Sequence, residues 1–139
     1  MIYAKCIRKT QICKTKKEYE QRKKTDEHHL YCEGETTTSN IDNLYKVPLC
    51  CIYDCLKYGD YIAVLEYSDD LPYKRGTTVS LQSSDYEQTT KKIFKADSKE
   101  AIDFLFQNVE DKNLIHNGYV NEIFMSLDNV RYFKRKMIS

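Results

Sequence analysis

A chain of 139 residues with 22 Lys and Arg against 21 Asp and Glu has a formal charge of +1, so no global field draws it toward nucleic acid or an anionic membrane. A chain this long suits one domain and buries roughly two thirds of its unfolded surface, enough for a core without metals or disulfides. No apolar run approaches the roughly 20 residues of a membrane-spanning helix, which excludes that class of anchor from this sequence and implies no membrane partner.

The opening residues are interrupted by Lys5 and lack the apolar centre of a secretory signal, so the chain is expected to stay in the cytosol. There the six cysteines (Cys6, Cys13, Cys32, Cys50, Cys51 and Cys55) are expected to be reduced, mostly as small buried hydrophobes. Cys50 and Cys51 are adjacent, and adjacent cysteines pair only with strain.

In chain order, Ile2, Ala4 and Cys6 alternate with Tyr3, Lys5 and Ile7, which predicts a short opening strand. Residues 14–24 are nearly all polar. Thr15 and Glu18 stand at capping-box spacing, so the segment reads as a solvated helical turn or a mobile loop. His28 to Cys32 reads as a second strand. Gly34 and the polar run Thr36 to Asn40 predict a turn, with Ser39 or Asn40 as the cap of a helix beginning at Ile41.

Ile41, Leu44, Tyr45, Pro48, Cys51, Ile52, Cys55 and Leu56 recur at three- and four-residue steps, predicting an amphipathic helix over 41–58. It should break near Pro48, which would occupy the first turn of the second piece, with Gly59 as the C′ residue. Asp60 to Tyr67 is apolar except for Glu66 and reads as a central strand. A loop over 68–72 and strands over 77–81 and 91–95 come next. Asp97 and Glu100 form a second capping-box pattern ahead of Ala101, Ile102, Leu105, Phe106 and Val109, predicting a helix over 98–109. Gly118 opens the last segment. Ile123, Phe124 and Leu127 read as further helix, Val130 and Phe133 as a closing strand. Together these elements predict a single α+β domain. Its mixed or antiparallel sheet has four to six strands, and its two main helices are 41–58 and 98–109.

Chemistry-bearing residues are sparse. His28, His29, Cys32, Cys51 and Cys55 include ligand types for tetrahedral zinc, provided segment 28–32 lies beside 51–55. No C-x-x-C pair accompanies them, and Cys51 and Cys55 also fit the apolar stripe, so no metal or other cofactor is expected. The four isolated glycines write neither phosphate-binding glycine motif. No nucleophile elbow or cysteine-protease signature occurs. Glu66, acidic on an apolar strand, is either exposed at the surface or functional, and exposure is the simpler reading. Lys14, Lys16, Lys17, Arg22, Lys23 and Lys24, with Lys134, Arg135 and Lys136 in the tail, would make a local positive patch if folded onto one face. Tyr3, Tyr19, Tyr132 and Phe133 could then stack single-stranded bases. A solvated surface explains the same charges, and the balanced total favours it.

Residues 29–67 carry a pattern of Leu30-Tyr31, Thr36 to Ser39, Ile41-Asp42-Asn43-Leu44-Tyr45, then Tyr58-Gly59-Asp60-Tyr61 leading into Ile62 to Glu66. The pattern resembles the amino-terminal domain that precedes ankyrin repeats in giant-virus proteins, although this sequence shows no repeats after it. The order of elements is also similar to part of the ADP-ribosyltransferase core. That similarity would assign catalytic positions to His29 and Glu66, with Tyr31 and Ser39 between them.

Twelve tyrosines against four glycines, with abundant Lys, Ile, Asn and Asp, fit AT-rich coding and hence a large DNA virus or phage. The leading expectation is a non-enzymatic protein-interaction module in the infected cell or as a minor virion component. Its tyrosines would provide interface area. A homo-oligomer, an ADP-ribosyltransferase-like fold with or without activity, and a nucleic-acid-binding module stand beside it.

Overall fold

A computed structural model describes residues 2–26, 28–40, 44–68, 83–115 and 125–138. The alternation at the N-terminus folds as strand β1 (Ile2–Ile7). Thr15 then caps helix α1 (Lys16–Arg22), its hydroxyl accepting from the Glu18 N–H. The Glu18 carboxylate accepts from Lys14 N–H rather than from the cap residue itself, so the box is displaced by one position.

Segment 28–32, expected as a strand, makes a single parallel bridge, Ile12 to Tyr31. Thr36–Thr38, expected within a turn, is strand β2, antiparallel to the start of β6 (Glu87–Lys95). Gly34 supplies the turn just before it, at φ 84°, where side chains other than glycine are strained.

Of the amphipathic helix expected over 41–58, only the piece after Pro48 is helical, and it is 3₁₀ rather than α. Residues 41–43 lie outside the described residues. Leu44–Pro48 is strand β3, and Leu49–Tyr58 winds as a 3₁₀ segment. The apolar positions fit both periods, and pairing with β1 at Tyr3–Pro48 and Ala4–Val47 decides for strand. Pro48 does mark the break, as the last residue of β3, where a missing N–H costs no ladder bond beyond it. Gly59 comes after the 3₁₀ segment with an extended φ of 170°. Its reason is proximity: a Cβ there would sit 2.1 Å from the Ile7 carbonyl oxygen.

β4 (Tyr61–Ser68) is the inner strand expected from its apolar run, between β1 and β6. β5 (Ser83–Asp85) leads into β6, which is longer than the expected 91–95. The expected 68–72 loop, beyond Ser68, and the strand over 77–81 lie outside the described residues. Ser98, not Asp97, caps α2 (Lys99–Asn108), accepting from Ala101 N–H. The short α3 (Lys112–Ile115) and α4 (Leu127–Ile138) are the remaining helices among the described residues. Asp97 reaches to the entry of α4, accepting from Ser126 N–H at 3.0 Å and Asn129 Nδ2 at 2.7 Å. Val130 and Phe133, expected in a closing strand, belong to α4; Gly118, Ile123 and Phe124 fall outside the described residues.

Among the described residues six strands are ordered β2-β6-β4-β1-β3-β5, and each neighbouring pair is antiparallel. β5 lies at the edge beyond β3, yet only Tyr86 separates it from β6. Two residues of chain span at most about 7 Å, so the sheet must roll until its β3–β5 side meets the start of β6. Gln88 of β6 spans the closure by donating to the carbonyls of Leu44 and Tyr45 in β3, at 3.0 and 2.9 Å. One face of the rolled sheet packs Ala4, Cys6, Ile62, Val64 and Phe94 against the helices, with Ile102, Leu105 and Phe133 closing the core. The other face carries Ile7 and Ala63 under Tyr31. The architecture is thus a single α+β domain with an antiparallel sheet. Among the described residues no helix is long and apolar enough to cross a membrane.

Candidate functional site

β3 runs beside β1 only as far as Ala4–Val47; its first three residues, Leu44 to Lys46, pair with β5 instead. Among the described residues the Cys6 backbone therefore has no strand partner on that side, and buried backbone polar groups must be satisfied. The Tyr45 hydroxyl does so, accepting from Cys6 N–H at 3.1 Å and donating to the Cys6 carbonyl at 2.5 Å. Where the strands part, a cavity of about 550 Å³ opens. Cys6, Ile7 and Arg8 line one side, Leu44 and Tyr45 another, and Leu56 to Asp60 the third. Gly59 permits this closure, because the end of the 3₁₀ segment lies directly against Ile7.

Lys5 forms part of the lining and is only 3% exposed. Strand alternation turns it to the face opposite Ala4 and Cys6. Its ammonium donates to the Tyr31 hydroxyl and, at 3.2 Å, to Gln88 Oε1. It also lies 4.5 Å from the ring centroids of both Tyr31 and Tyr45. Aromatic faces attract a cation by their quadrupole, and a desolvated site strengthens this. Tyr31 is held in place by its own backbone, N–H to the Gln11 carbonyl and carbonyl to Cys13 N–H.

Burial, then the charge of Lys5, then that of His28 hold the His29 imidazole below its usual value, so it is neutral at pH 7. Burial pushes the Cys6 thiol and the Tyr31 and Tyr45 hydroxyls well above their usual ranges. All three stay protonated near neutral pH. At the mouth, Arg8, Lys57 and Asp60 are exposed. Tyr58 leans on Tyr45 at a centroid distance of 5.6 Å and an angle of 56°. A cationic floor, aromatic walls and two further cations at the rim make a surface for an anion.

Of the positions suggested by sequence, His29 lines this cavity, and Glu66 does not. Glu66 is exposed on β4, so the pair is not brought into one cleft. Ser39 is half-buried, its N–H bonded to the Tyr86 carbonyl. The zinc candidates are dispersed. Cys51 and Cys55 pack into the main core, Cys32 joins Cys13, Tyr19 and Leu30 in a separate cluster, and His28 is exposed. Among the described residues no group of three or more His, Cys, Asp or Glu is placed to hold a metal. All six cysteines are free thiols.

The basic set divides. Arg22 is a structural clamp, its guanidinium donating to the carbonyls of Thr10 and Ile12 and pairing with Glu18 and Asp26. Lys23 pairs with Glu20 at 2.8 Å and Lys136 with Asp103 at 2.7 Å. Lys14, Lys16, Lys17, Lys24, Lys134 and Arg135 are exposed. The expected stacking platform is corrected: Tyr3, Tyr19 and Phe133 are core residues, because strand alternation and helix packing turn their rings inward. Tyr132 is half-buried and donates to Asp103.

Sequence reasoning missed Lys5 and Gln88 as site residues. A lysine inside a strand whose other residues are all apolar was a signal for the first; nothing local marked the second. No protein-family model, curated protein or solved structure matches the chain.

Proposed function

We propose that this chain is a non-enzymatic binding module for a protein partner, and that the cavity beside β1 receives an anionic group of that partner. The observation that carries the reading is the lining itself. Among the described residues Lys5, Arg8 and Lys57 face it against one carboxylate, Asp60. A buried lysine is little screened by salt, so its field persists where surface charges fade. Tyr58, about half exposed, adds rigid contact area at the mouth. Binding rather than turnover is supported by the protonated Cys6, Tyr31 and Tyr45 and by the place of Glu66 outside the lining.

The tyrosine-rich, glycine-poor composition supports a source in a large DNA virus or phage. The resemblance of residues 29–67 to the domain preceding ankyrin repeats points the same way. In that setting the module meets a host factor in the cytosol or serves as a minor virion component.

The test compares proteins captured by the tagged chain with those captured by the double variant Arg8→Glu with Lys57→Glu. A control pair, Lys134→Glu with Arg135→Glu, changes charge elsewhere. The expected result is a discrete partner lost with the rim variant and kept by the control. Identical captures by all three chains would remove the reading.

A further inference from the structure

We infer that the cavity is a phosphomonoester site, taking the phosphoryl dianion of a ligand with an aromatic body; this rests on the reading that the cavity receives an anion. Charge is the first argument. Lys5, Arg8 and Lys57 line the cavity, and Asp60 is the one carboxylate among its described lining residues. A carboxylate would offset one of these charges, whereas a phosphomonoester carries about −1.5 to −2 at pH 7.

The arrangement of the cations is the second argument. Lys5 lines the cavity as a buried residue, while Arg8 and Lys57 line it as exposed ones. A phosphoryl group presents three acceptor oxygens and suits donors on several sides, including the planar fork of an arginine. Lys5, already engaged with Tyr31 and Gln88, contributes its field from beneath whether or not it donates to the ligand.

Size is the third. About 550 Å³ falls within the range of roughly 300–1,000 Å³ typical of ligand pockets and exceeds what a bare anion fills. Tyr58, about half exposed and tilted against Tyr45, offers ring surface at the mouth, a setting for a second aromatic group. The ligand should remain intact there, since burial keeps the Cys6 thiol protonated and it cannot attack phosphorus as a thiolate.

Calorimetric titration at low ionic strength tests this with phenyl phosphate, benzenesulfonate and inorganic phosphate. Phenyl phosphate should bind saturably at one site. Benzenesulfonate, with the same ring and a single charge, should bind about tenfold more weakly, as should inorganic phosphate, which lacks the ring. Arg8→Glu with Lys57→Glu should weaken phenyl phosphate by about tenfold or more, with an unchanged melting temperature because both side chains are exposed. Lys5→Met should also weaken it; should that buried change unfold the chain, the rim variant still decides. No saturable phenyl phosphate binding, equal affinity for benzenesulfonate, or wild-type affinity in the rim variant would each overturn the inference.

Two further ligands separate the sources of the group. A phosphotyrosine peptide binding more tightly than a nucleoside monophosphate supports a phosphorylated protein partner. The reverse order keeps the phosphoryl site but removes the protein-partner reading. Loss of partner capture by the rim variant, without phenyl phosphate binding to the wild type, keeps the partner and overturns the phosphoryl group.

Discussion

Under the helices the sheet presents Ala4, Cys6, Ile62, Val64 and Phe94, an apolar surface sealed by Ile102, Leu105 and Phe133. On its other face the same sheet buries Lys5, Thr37, Gln88 and Thr90 beside Ile7 and Ala63. The apolar side is held by area, which is non-directional and tolerates exchange of similar volumes. The polar side is held by hydrogen bonds whose geometry must be right, because a buried polar group without a partner costs more than the bond returns. Its cavity lies where those directional contacts replace a ladder, at the Tyr45 hydroxyl on Cys6. The core thus stabilises the fold, and the polar face confines the cavity to one place.

The sharpest way to break the contrast is Phe133→Ala. Phe133 is fully buried and meets Phe106 edge-on at 5.2 Å. Its truncation should cost about 3–5 kcal/mol in urea-monitored stability. A loss under about 1 kcal/mol would mean α4 contributes little to the core.

Gly59→Ala probes the boundary between the two sides. The added Cβ would overlap the Ile7 carbonyl, forcing β1 and the 3₁₀ segment apart. A loss of about 2 kcal/mol or more is expected, together with weaker ligand binding. Unchanged stability would show that the approach to Ile7 is not needed.

Alkaline pH should then weaken the apolar side through its thiols. Burial raises Cys55 from 9.0 to about 11 and Cys6 further still. Above pH 9 the unfolded chain releases these protons while the folded chain retains them, so the unfolded state is favoured as pH rises. Melting temperature should hold below pH 9 and fall between 9 and about 11. Cys55→Ala should flatten part of that fall.

The smallest change falls on the polar face. Thr90 is fully buried, and among the described residues its hydroxyl has no hydrogen-bond partner. Thr90→Val keeps the shape and should gain up to about 1 kcal/mol in stability. Destabilisation instead would reveal a partner for that hydroxyl outside the described residues.

Much of the framework was legible locally. The alternation of β1, the apolar run of β4 and the stripe of α2 appeared at the expected places, because each element's period is written into neighbouring residues. Over 44–48 the sequence misled. Leu44, Tyr45 and Val47 satisfy a helical stripe and a strand alternation together, and a strand partner in β1 settled the choice. Val130 and Phe133 misled in the opposite direction, since two apolar positions are too few to fix a period against the helical register of α4. Of the site, the sequence points to His29, but Lys57 joins Lys5 and Arg8 only because the end of the 3₁₀ segment closes against Ile7.

By itself the sequence determined the α+β class, the inner position of β4 and the helix that begins after Asp97, all consequences of short-range pattern and capping. The tertiary structure alone decided that β3 is a strand, that Asp97 serves α4, and that a buried lysine shares a cavity with Arg8 and Lys57. Those outcomes depend on partners dozens of residues away, and no local period or charge count records which distant backbone will supply the missing hydrogen bond.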